Sequence, residues 1–84
     1  MSNKITFYAI LGPGDTVERP KGLLRRLEFD DGFEDEGLTE DMSWSFSPLI
    51  VEWKHGSYGR DLVEVSHEQA SRIVAYLRDK FAEA

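Results

Sequence analysis

The sequence predicts an α+β domain: a small antiparallel sheet of about four strands with a C-terminal amphipathic helix packed on one face, and an acidic loop or short helix between strands 2 and 3. Three observations carry that prediction. Short runs of apolar residues are separated by Gly- and Pro-containing turns. The segment from Ser66 onward repeats apolar residues at helical spacing behind a capping signature. The 84 residues are too few for two ordinary domains, so 1–84 is expected to be one folding unit.

The first strand is expected over Ile5 to Leu11, where Ile5, Phe7, Ala9 and Leu11 share one face. Tyr8 and Ile10 make the opposite face largely apolar too, which predicts a central strand covered on both sides. The turn Gly12-Pro13-Gly14-Asp15 ends it, and a polar connection through Arg19-Pro20-Lys21-Gly22 follows. Leu23 to Phe29 reads as the second strand, with Leu23, Leu27 and Phe29 on one face and Arg26 and Glu28 on the other. Arg25 falls on the apolar face.

After the acidic loop, Leu38 to Ser43 is expected to form one helical turn capped by Thr39. Trp44 and Phe46 then alternate with serines in an extended segment. Leu49 to His55 follows Pro48 and reads as the third strand, with Leu49, Val51 and Trp53 facing one way. Gly56-Ser57-Tyr58-Gly59 has hairpin length, and Asp61 to Val65 returns as the fourth strand. In the last element Ser66 is the cap and Gln69 reaches back to it. Ala70, Ile73, Val74, Leu77 and Phe81 make the apolar stripe.

Charge is distributed unevenly. Ten Lys and Arg against sixteen Asp and Glu leave a net charge of −6. Eight of those acids, and no bases, lie between Glu28 and Asp41. The excess therefore resides in one segment, and the rest of the chain is slightly basic. Mutual repulsion of these carboxylates places the segment at the surface, where it can steer a cationic partner. Phe29, Phe33, Leu38, Met42 and Trp44 interleave or flank the acids, a pattern that suits a binding surface.

Chemistry-bearing motifs are absent from the sequence. Without Cys there is no thiolate metal site, disulfide or thiol nucleophile. The acids around Asp30 and Asp31 miss the Gly and ligand positions of a helix-loop-helix calcium site. His55 and His67 have no ligand-spaced neighbours; His55 reads as a strand-end residue and His67 as an exposed first-turn residue. Gly56-Ser57-Tyr58-Gly59 is not a nucleophile elbow, and Gly12-Pro13-Gly14 lacks the residues that cradle phosphate. No enzyme, cofactor or metal is expected. No apolar run of membrane-spanning length or secretory leader is seen, so the expected location is cytoplasmic.

The runs Tyr8-Ala9-Ile10-Leu11, Gly22-Leu23-Leu24-Arg25-Arg26 and Ile50-Val51-Glu52-Trp53-Lys54-His55-Gly56, with Leu62-Val63-Glu64-Val65-Ser66 before a helix, form a pattern. It resembles small acidic, functionally uncharacterised proteins of actinobacteria and their phages. That resemblance implies no catalytic or binding residue.

The expected function is that of a non-enzymatic protein-interaction module, a regulator or inhibitor of a macromolecular partner. The expected contact residues in segment 28–44 are Asp30, Asp31, Phe33, Glu34, Asp35, Glu36, Leu38, Met42 and Trp44. Steering by the acids calls for a protein partner with a basic surface. Self-association through an exposed sheet edge is compatible with this function and equally with nucleic-acid binding. The competing class is a nucleic-acid-binding domain using Arg19, Lys21, Arg25 and Arg26. Against it, these bases are expected to pair within the chain, with Glu28 or the acidic segment.

Overall fold

The computed structural model describes residues 3–83. The strands are β1 (Lys4–Leu11), β2 (Gly22–Phe29), β3 (Gly32–Leu38), β4 (Trp44–Phe46) and β5 (Asp61–Val65), with helices α1 (Leu49–Lys54) and α2 (His67–Ala82). They form the α+β architecture that the sequence predicts, with five strands in the order β4-β3-β2-β1-β5, every pair antiparallel. β1 lies between β2 and β5, and both its faces are covered.

One face packs on α2. Ala9, Leu23 and Val65 of the sheet meet Ala70, Ile73 and Leu77 of the helix, and Leu77 is fully buried. The helix begins as expected: Gln69 N–H donates to the Ser66 hydroxyl at 3.0 Å, and Ser66 N–H donates to the Gln69 side-chain oxygen at 2.8 Å. Arg72 pairs with Glu68 one turn before it. Ser66→Ala is expected to lower stability by about 1 kcal/mol and Ser66→Gly by only a few tenths. Thermal unfolding of the two variants checks this ranking.

The other face packs on α1, where the sequence predicts a strand. Leu49 to Lys54 is helical because Leu49, Ile50 and Trp53 then fall on one side, against Leu24 and Leu62. A strand buries Val51 in place of Ile50; in the helix Ile50 is buried and Val51 is exposed. The expected hairpin between residues 49–55 and 61–65 is therefore not formed. β5 pairs with β1 instead, from Phe7–Val65 to Leu11–Asp61. α1 belongs to the connection that carries the chain from the β4 edge, across the sheet, to the β5 edge. His55, expected at a strand end, caps the C-terminus of α1.

The acidic loop is a second correction. Its central residues form β3, which pairs with β2 from Phe29–Gly32 to Leu24–Gly37 around a turn at Asp30 and Asp31. The expected helical turn over Leu38 to Ser43 is instead the end of β3 and the connection to β4. Thr39 N–H donates to Ser43 O at 2.8 Å, and Met42 takes a left-handed φ of 67°. The Asp41 carboxylate accepts from the Thr39 hydroxyl and from Ser43 Oγ at 2.7 Å. Those hydrogen bonds hold the Asp41 carboxyl below its ordinary range.

Candidate functional site

Cross-strand ion pairs hold two of the three consecutive carboxylates of β3, Asp35 and Glu36. Arg25 stands opposite Glu36 in the β2–β3 register, and Arg26 opposite Asp35. Arg26 grips Asp35 with two parallel bonds, Nε to Oδ1 at 2.7 Å and Nη2 to Oδ2 at 2.9 Å. Asp35 is only 4% exposed, so one of the expected surface acids is buried. The Asp35 hydrogen bonds raise the Arg26 pKa above its ordinary value against the opposing effect of burial. On the opposite face Arg25 Nε donates to Glu36 Oε1 at 2.7 Å, and its guanidinium lies 4.2 Å from the Trp44 ring centre.

The basic cluster is dispersed by the same contacts. Arg25 and Arg26 are committed to the acidic strand, as the sequence argument for internal pairing expects. Lys21 lies 3.6 Å from Asp15, whose carboxylate accepts Gly12 N–H at 2.7 Å. That backbone bond, helped by Lys21, keeps the Asp15 carboxyl below its ordinary range. Arg19 is exposed on a separate turn, bridged to Thr16. The four bases do not form a continuous cationic face.

The β3–β4 pairing stops at Glu36–Phe46. Ser47 N–H makes one more bond, to Asp35 O at 3.1 Å, and the chain then turns through Pro48 into α1. Among the described residues, the outer edge of β3 from Gly32 to Glu34 consequently has no neighbouring strand. Backbone groups two residues apart in a strand point to the same side. Because the Asp35 carbonyl points outward to Ser47, the N–H and C=O of Phe33 point outward too, into open space.

That space is a notch of about 510 Å³. Phe33 and Asp35 belong to the α1 face of the strand, where Val51 and Pro48 close the wall. Glu34, Glu36 and Phe46 belong to the α2 face. Phe46 is 79% exposed and Phe33 is 52% exposed, the latter with the Arg26 guanidinium 4.1 Å from its ring centre. Among the described residues, Glu28, Asp30, Asp31 and Glu34 make no ion pair. All four are exposed around the tip of the β2–β3 hairpin, beside the notch.

The nine expected contact residues thus divide. Phe33, Glu34, Asp35 and Glu36 line the notch, and Asp30 and Asp31 form the turn at its open end. Leu38 and Trp44 pack against the α2-face core, where Trp44 lies 6.2 Å from Phe7. Met42 sits in the β3–β4 connection and does not line the notch. Phe46, Ser47, Pro48 and Val51 are notch residues that the sequence did not single out. Pro48 was the available signal, since a proline just past an alternating aromatic segment ends the strand and leaves its neighbour's edge open.

Other titratable groups have local explanations. Tyr8 is raised above its ordinary pKa by burial and by the carboxylate of Glu64, its neighbour across the β1–β5 ladder. His67, exposed in the first turn of α2 as expected, sits edge-on to Phe7, with Nε2 2.9 Å from Ile5 O. Among the described residues, no three His, Asp or Glu side chains are grouped so as to hold a metal ion, and no helix is long and apolar enough to cross a membrane.

Fold and site define the class: an α+β domain with a helix on each face of its sheet and an acid-rimmed aromatic notch at one edge. No protein-family model, curated protein or solved structure matches the chain.

Proposed function

We propose that this protein is a non-enzymatic interaction module that captures a protein partner with a basic surface through the β3–β4 edge, and so regulates or inhibits that partner. The observation that carries this reading is the pair of exposed aromatics, Phe33 and Phe46, flanking an open notch beside carboxylates that make no ion pair among the described residues. Exposed aromatic anchors supply contact area, and unpaired charge supplies steering. The carboxylates near the notch are either ion-paired, like Asp35 and Glu36, or exposed, like Asp30, Asp31 and Glu34. A cytoplasmic setting is part of the same proposal.

Reversing the whole acidic segment is a poor test, because Asp35 and Glu36 hold Arg26 and Arg25 in place. The informative variants are Asp30→Lys with Asp31→Lys and Glu34→Lys, and separately Phe33→Ser with Phe46→Ser. In affinity capture from the native host, quantified by mass spectrometry, each set is expected to reduce recovery of the partner at least about tenfold, with unchanged circular dichroism. Undiminished recovery by both overturns the proposal. Retardation of nucleic acid in low-salt gel shifts, lost on changing Arg19 and Lys21, points to the competing class instead.

A further inference from the structure

We infer that the occupant of the notch is an extended, basic segment of the partner, which joins the sheet as an added strand alongside β3. This rests on the binding reading above and specifies its mode. The shape of the site argues for a strand. The notch is lined by β3 residues of both faces, Phe33 and Asp35 on one and Glu34 and Glu36 on the other, together with the end of β4 and the residues after it. That lining is expected of a space off the β3 edge, where the next strand would run if β4 did not stop at Phe46. The outward N–H and C=O of Phe33 offer that strand one pair of ladder hydrogen bonds.

The walls read the alternating side chains of such a segment. Those pointing toward α1 meet the apolar side chains of Phe33, Pro48 and Val51, beside Asp35, whose carboxylate is already held by Arg26. Those pointing toward α2 meet Glu34, which has no ion-pair partner among the described residues, and beyond it Glu36 and Phe46. The fitting pattern is therefore apolar and basic in alternation. Asp30 and Asp31 extend the negative potential to the open end, while Ser47 and Pro48 close the other. A second copy of this chain is a poor occupant, since it brings the same exposed carboxylates against Glu34.

The probe is a seven-residue alternating Lys/Val peptide, acetylated and amidated, titrated to millimolar concentration into the ¹⁵N-labelled protein. The expected result is salt-sensitive binding with the Phe33 amide among the most shifted signals and newly protected from hydrogen exchange. N-methylation of the peptide's central backbone nitrogens is expected to weaken binding at least about tenfold, because it removes donors and blocks the edge. Replacing Lys by Glu is expected to abolish it. In the protein, Phe33→Pro is expected to bind the peptide more weakly than Phe33→Ala, which keeps the outward N–H.

No shift at millimolar peptide overturns the inference. Equal binding of the methylated peptide, or shifts confined to Asp30 and Asp31, also overturns strand addition, yet leaves capture by charge and aromatic contact standing. Phe33 shifts that grow with protein concentration alone give the slot to a second copy and overturn it as well. Loss of the partner-capture effect described above removes the binding reading itself.

Discussion

Arg26→Ala is expected to destabilise the protein by about 3–5 kcal/mol, the range for removing one partner of a buried ion pair. Asp35 is 4% exposed and receives both of its strong bonds from this guanidinium, so truncation leaves a largely buried carboxylate without its partner on the α1 face of β3. The loss is a large share of the ~5–15 kcal/mol that holds a typical domain together. Replacing both residues by leucine is expected to be near neutral or stabilising, because two desolvated charges are removed together. Urea unfolding of the single and double variants measures the difference. A single-variant loss below about 1 kcal/mol would class the pair with ordinary surface ion pairs. The variant also bears on the site: the same guanidinium lies over Phe33, so Arg26 couples the stability of the hairpin to the position of a notch aromatic.

Ile50→Ala is expected to cost about 2–5 kcal/mol, whereas Val51→Ala costs below about 1 kcal/mol. The contrast follows from the helical state of Leu49–Lys54. Ile50 is 1% exposed between Leu24 and Leu62, and Val51 is 37% exposed at the wall of the notch. Were the segment a strand with Leu49, Val51 and Trp53 inward, the ranking would invert. Denaturant midpoints of the two variants decide between them. Val51→Ala is expected to weaken partner capture while leaving the fold in place, so stability and binding separate at adjacent residues.

The two segments where sequence expectation and structure part share a physical cause. Residues 34–36 have poor strand propensity and repel one another, which argues for a loop when they are considered alone. Arg25 and Arg26 change that balance, because they lie the same distance before the Asp30–Asp31 turn as Glu36 and Asp35 lie after it. That mirror symmetry of opposite charges was visible in the chain and is the signal of a hairpin. Residues 49–54 fit either a strand or a helix of under two turns. The decision falls to the surface they cover, since Leu24 and Leu62 on one sheet face need an apolar lid.

The α2 helix, the central placement of β1 and the surface concentration of negative charge were determined by sequence alone. Each rests on local terms: a capping box, an apolar period, a strand apolar on both faces, and like charges that resist collective burial. The tertiary structure decided which acids are exposed. Asp35 and Glu36 are ion-paired across the β2–β3 ladder, while Asp30, Asp31 and Glu34 make no ion pair among the described residues. It also created the notch, which belongs to no single segment. That site exists because β4 stops short of the end of β3 and Pro48 turns the chain across the sheet, leaving backbone, aromatics and charge open at one edge.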